Sequence, residues 1–195
     1  SIGDSAFSQC ASLANINIPD SVTSIGNYAF SDCTSLANIN IPDSVTSIGG
    51  NAFYYCEALT SATIGKNVVK MGDKIIFTKL QPAFNGCNNL ITVTFAEGMN
   101  KIPSYAFKDC TGLTNINIPN SVTHIGGDAF NGCSSLDSVI IPENLTYVGI
   151  DAFEKCTSLS SITFENKNTV NINKETLTLT PKGKEVLIYS VGMKN

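Results

Sequence analysis

An Ala-Phe pair followed three residues later by a cysteine recurs seven times along this chain, with phenylalanines at Phe7, Phe30, Phe53, Phe84, Phe107, Phe130 and Phe153. Successive phenylalanines are 23 residues apart at every step but one, Phe53 to Phe84, which is longer by eight. A fixed period of this size is the signature of a solenoid, in which each repeat is a coil that cannot bury its apolar face alone and so stacks on its neighbours. Composition fits that reading. Apolar residues make up 43% of the 195 and charged residues 14%, which excludes disorder, and no apolar run approaches the length of a membrane-spanning helix. The formal charge is −4 and all 12 cationic side chains are lysine. Phosphate recognition favours clustered basic residues and the arginine fork, so a nucleic-acid partner is not expected.

Within one repeat, Leu13, Ile16 and Ile18 lead to Pro19. The alternation at Ile16 and Ile18 reads as a short strand with its apolar side inward, and proline ends the ladder because it lacks an N–H. Val22 and Ile25 form a second inward pair and Gly26 permits a bend. Ala29, Phe30 and Cys33 follow at near-helical spacing. The expected architecture is a parallel β-sheet of short strands linked by turns and short helical segments. Seven cysteines are an odd number, and each holds the same place in its own repeat. They read as a column of buried free thiols, not as a disulfide framework, because Cβ atoms stacked at the strand spacing of about 4.8 Å are too far apart for an undistorted bridge.

The repeat resembles the BspA-type leucine-rich repeat, whose unit runs roughly I-x-I-P-x-S-V-T-x-I-G-x-x-A-F-x-x-C-x-S-L. Ile39 to Leu59 follows it closely, and the resemblance covers about residues 1 to 164. It implies a right-handed leucine-rich repeat solenoid, and it implies surface or secreted proteins of host-associated bacteria and some protists that adhere to host proteins or other cells. The sequence departs from the unit at Gly65 and Ala96, which replace the proline, and at Pro103, which replaces the glycine. No asparagine occupies the usual leucine-rich-repeat ladder position. These departures are expected to bend the pattern without breaking it.

Residues 1–164 are expected to form the solenoid, of about seven coils beginning mid-repeat, with an insertion inside 73–81. Residues 165–195 are expected to form a C-terminal capping segment, with a β-hairpin from Leu177–Thr180 and Val186–Val191. Because Ser1-Ile2-Gly3 matches Ser24-Ile25-Gly26, the chain is expected to be a fragment of a longer protein, with any secretion signal upstream. The expected location is the cell surface or the extracellular medium.

No catalytic constellation is found. The single histidine, His124, shares an outward row with Ser24, Ser47, Lys70, Lys101 and Tyr147. No metal-ligand spacing or nucleotide fingerprint occurs, so neither cofactor nor metal is expected. Two nearly uncharged outward rows run along the strands, and within them Asn17, Asn40, Thr63, Thr94, Asn117 and Ile140 are candidate contacts. The plainer reading is that stacked amides and hydroxyls satisfy one another. A second candidate is an apolar and aromatic patch of Tyr54, Tyr55, Ile75, Ile76, Phe77, Leu80 and Tyr105 around the insertion. Its plainer reading is that the inserted residues fold down over a gap in the coil. The expected function is a non-catalytic binding module for an extracellular or host-surface protein or a glycan, without membrane insertion. The alternative is a structural stalk that displays another domain.

Overall fold

The computed structural model describes residues 1–76, 79–164, 169–171, 177–179 and 186–188; for 73–76, 79–80 and from 164 onward it describes the backbone only. Two parallel ladders run along the body. The longer strands Asn38–Ile41, Ser61–Ile64, Thr92–Phe95 and Asn115–Asn117 pair in register, each with its counterpart one repeat away. Burial alternates along them, so that Ile39 and Ile41 point inward while Asn38 and Asn40 point out. The next two long strands, Ser138–Ile141 and Ser161–Phe164, form a separate parallel pair. Two-residue strands build the second ladder in two blocks, Ser24–Ile25, Ser47–Ile48 and Lys70–Met71, then Lys101–Ile102, His124–Ile125 and Tyr147–Val148.

Between the ladders the core is a set of continuous columns. Phenylalanine rings from Phe7 to Phe153 stack with centroids 4.8 to 5.9 Å apart and planes within 23° of parallel. From Phe30 onward these rings are essentially solvent-free. A fully buried phenylalanine contributes roughly 1.5–3 kcal/mol through area alone, so the ring column is a principal source of cohesion between coils.

The short helical segments expected around Ala-Phe-x-x-Cys are not formed; the described residues contain no helix, and these segments are chains of turns. The backbone shows why. Two residues before and two after the phenylalanine, φ is repeatedly positive, as at Tyr28 (54°) and Asp32 (59°) around Phe30, or Tyr105 and Asp109 (both 61°) around Phe107. Left-handed residues lie four apart around the phenylalanine, so no helical run can exceed the three residues between them. The hydrogen bonds alternate. Phe30 N–H donates to Ala52 O of the next coil at 2.7 Å, Ser31 N–H closes a local turn on Tyr28 O, and Asp32 N–H again crosses to Tyr54 O. A left-handed non-glycine residue costs about 1–2 kcal/mol. An inter-coil bond worth about 0.5–1.5 kcal/mol and the ring burial offset that cost.

All seven cysteines are free, and all but Cys10 are buried. They do more than fill space. The thiols of Cys33, Cys56, Cys87, Cys110, Cys133 and Cys156 each donate to the carbonyl of the phenylalanine one coil earlier, at 3.0 to 3.7 Å. That same carbonyl accepts the N–H of its own coil's cysteine, as Phe30 O does from Cys33 N at 3.3 Å. A small, weakly polar donor suits this place, since an unmet buried carbonyl is costly.

The insertion forms a hairpin in which Asp73–Ile76 pairs antiparallel with Lys79–Gln81, with an irregularity between the Asp73 and Ile76 positions. Gly72 sits at its base with φ +79°, and a Cβ there would lie 2.7 Å from Gln81 O. Toward the C-terminus, Thr169–Asn171 adds antiparallel to Ser161–Phe164, and Leu177–Leu179 pairs with Val186–Ile188 as a β-hairpin.

Candidate functional site

Two surfaces differ from the rest of the body. On the long-strand face, register places Asn38, Ser61, Thr92 and Asn115 in one row and Asn40, Thr63, Thr94 and Asn117 in the other. Neighbouring side chains within a row are separated by about 4.8 Å, the strand spacing. No side-chain hydrogen bond joins these groups among the described residues, so mutual satisfaction of the stacked amides is not what holds the rows.

That lack of partners is local. Elsewhere polar side chains stitch coil to coil: Thr46 and Thr146 hydroxyls donate to Thr23 O (3.2 Å) and Thr123 O (3.0 Å), Asn67 Nδ2 to Asp43 O (2.8 Å) and Asn144 Nδ2 to Asn120 O (2.9 Å). Asp4 Oδ1 accepts Asn27 N–H, and Asn27 Oδ1 in turn accepts Gly50 N–H, both at 2.7 Å. A short Asx ladder therefore exists, displaced from the place where leucine-rich repeats usually carry one. Of the other candidates, Asn17 is exposed but precedes the first long strand. Ile140, 49% exposed, lies on the separate pair of strands, opposite Thr163.

The second surface is a break. The short-strand ladder stops at Lys70–Met71 and restarts at Lys101–Ile102, although the long strands of these two coils remain paired. Elsewhere the residue after the short strand carries the bond across: Gly49, Gly72, Gly126 and Gly149 donate to the carbonyls of Ile25, Ile48, Ile102 and Ile125 at 2.8 to 3.0 Å. In the coil after the insertion that residue is Pro103, which has no N–H to give Met71 O. The hairpin leaves the coil just after Met71, and together they hold the ladder open. The expectation that the departures bend the pattern without breaking it fails here.

Between the two ladder ends lies a cleft of about 390 Å³ lined by Val69, Met71, Gly72, Lys101, Pro103 and Tyr105. Met71 is 2% exposed and forms the floor, whereas Val69 is 63% exposed at the rim. Lys70 and Ser104 complete the lining. Among the described residues Lys101 has no ion pair, in contrast to Lys66 with Asp43 (3.3 Å) and Lys108 with Asp128.

Of the aromatic patch read from the sequence, Tyr54 and Tyr55 pack together with ring centroids 4.5 Å apart, and burial pushes the Tyr54 phenol up. The Tyr55 ring covers Gly86. Tyr105 lines the cleft, whose lining does not include the tyrosine pair. Phe77 and the side chains of Ile75, Ile76 and Leu80 lie outside the described residues. The base of the insertion is tied down by Gln81, whose Nε2 donates to Tyr28 Oη at 2.8 Å, across an intervening coil. His124 is exposed, with Nδ1 2.8 Å from Thr123 Oγ1 and its ring 5.6 Å from that of Tyr147. Among the described residues no group of acidic, histidine and cysteine side chains could hold a metal, and no helix is long and apolar enough to cross a membrane.

The same architecture is found in solved bacterial proteins. A leucine-rich repeat protein from Bacteroides ovatus is 32% identical with a TM-score of 0.68, over 82% of this chain and 39% of that one. The T. pallidum leucine-rich repeat protein is 30% identical with a TM-score of 0.63, over 81% of this chain and 70% of that one. A leucine-rich cell surface protein from Faecalibacterium prausnitzii is 29% identical with a TM-score of 0.52, over 90% of this chain and 52% of that one. No match to a curated protein was found. Six copies of the BspA type leucine rich repeat region are matched across residues 1–82 and 80–184, and the chain belongs to that family.

Proposed function

We propose that the chain is a non-catalytic binding module of a cell-surface or secreted protein, and that it adheres to host proteins or other cells through its long-strand face. The observation that carries this reading is the pair of aligned Asn, Ser and Thr rows whose hydrogen-bonding groups lack internal partners while other polar side chains tie coils together. Such a face offers donors and acceptors at a fixed repeat to an extended polar ligand, whether a protein surface or a glycan. The similarity to a cell surface protein of Faecalibacterium prausnitzii supports the location. Membrane insertion, nucleic acid and a cofactor have no part in this reading.

The test is surface binding to a panel of extracellular-matrix proteins and glycans, alongside a variant lacking residues 73–80. Binding by both proteins is expected. Loss of binding on deletion, with the variant still folded, would move adhesion to the insertion; silence across the panel would favour a stalk that only displays another domain.

A further inference from the structure

We propose that the break in the short-strand ladder is a docking slot for an extended segment of a partner protein that carries an acidic side chain, separate from the long-strand face. Three observations converge on it.

The first is an open sheet edge. The carbonyls of Ile25, Ile48, Ile102 and Ile125 each receive an N–H from the next coil, but for Met71 the residue in the donor's place is Pro103, which has none. On the opposite side, Asn100 stands where Thr46, Val69, Thr123 and Thr146 each donate their N–H to the preceding coil. No such bond from Asn100 is formed among the described residues. Met71 lines the cleft and Asn100 immediately precedes its Lys101, so an acceptor and a donor without a main-chain partner among the described residues flank the break, the main-chain requirement for adding a strand. The second observation is shape. The cleft of about 390 Å³ has a buried floor at Met71 and Pro103, and flanks of Val69 and Tyr105 that can grip alternate side chains of an extended peptide. Charge is the third. Lys101 lines the cleft on the far side of the break, exposed and without an ion pair among the described residues, in a chain of net charge −4. A carboxylate two residues from an apolar anchor would lie on the same side of an extended segment and meet Lys101 at the rim.

The experiment uses fluorescence anisotropy with labelled peptides of about ten residues alternating valine and glutamate, or valine and lysine, added to the intact chain. The glutamate peptide is expected to bind, more weakly as salt rises, and to lose about tenfold in affinity in Lys101→Glu. Lys101 is exposed, so this variant should fold. N-methylation of alternate peptide nitrogens should also abolish binding, which a purely electrostatic contact would tolerate. A variant with Thr63→Lys and Thr94→Lys should leave peptide binding unchanged, which separates this slot from the long-strand face. Equal binding of the lysine peptide, indifference to Lys101→Glu, or no binding of the glutamate peptide would each overturn the proposal.

Discussion

At the residue scale, each coil is held by a few side chains with little freedom to change. Phe107 is solvent-free between Phe84 (5.2 Å) and Phe130 (5.9 Å), with Phe95 edge-on at 5.8 Å. Phe107→Ala should therefore cost about 3–5 kcal/mol through the cavity it opens. A denaturation curve showing a loss below about 1 kcal/mol would contradict the stacked column. The thiols give a second prediction. Burial pushes Cys33 up to about 11 and Cys156 up to about 12 and also raises Cys110 and Cys133, while Cys56 is raised first by its thiol hydrogen bond with Cys87 and then by burial. Thiols of the unfolded chain ionise near pH 8.5–9 while these stay protonated in the fold. Their contribution is thus fully present below that range and is lost as pH rises toward 11 to 12, a loss that should shrink in Cys33→Ala. Under native conditions near pH 8, a thiol reagent should modify Cys10 quickly and the other six slowly, read by mass spectrometry. Burial of the cysteines was legible in their period. Their donation to phenylalanine carbonyls was not, because spacing says nothing of where an S–H points.

At the element scale, the same Phe-to-Cys spacing of three residues explains what sequence reading gets right and wrong. An i to i+3 relation suits a helical turn and a β-turn equally, so the periodicity alone could not exclude helix. Left-handed dihedrals decide it, and they fall on residues as unlike as Tyr28, Asp32, Asn51 and Lys155, which carry no common signal. The strands were easier, because Ile39 and Ile41 alternate with Asn38 and Asn40. The ladder break was readable only in part. The insertion and Pro103 are both plain in the sequence, but that they act on the same missing bond depends on register across an extended interval. In amide hydrogen exchange, Asn100 should therefore exchange much faster than Thr46, Val69 and Thr123, whose amides are bonded to the preceding coil. Equal protection would show the ladder to be closed in solution.

At the scale of the whole molecule, stacking turns a short motif into a surface. A single coil presents two outward polar side chains on its long strand, whereas four paired coils present two aligned rows. The rows themselves could be read from the repeat, but their lack of internal partners could not, because equally polar residues such as Thr46 and Asn67 spend their side chains on neighbouring coils. The claim that this face is where the module binds is tested most directly by taking a panel ligand and measuring its affinity for the chain and for the variant Asn40→Lys, Thr63→Lys, Thr94→Lys. These positions are exposed, so the fold should persist. Loss of binding in the triple variant, with unchanged affinity in a control bearing Thr46→Lys on another side of the coil, is the predicted result. Undiminished binding by the triple variant would contradict it.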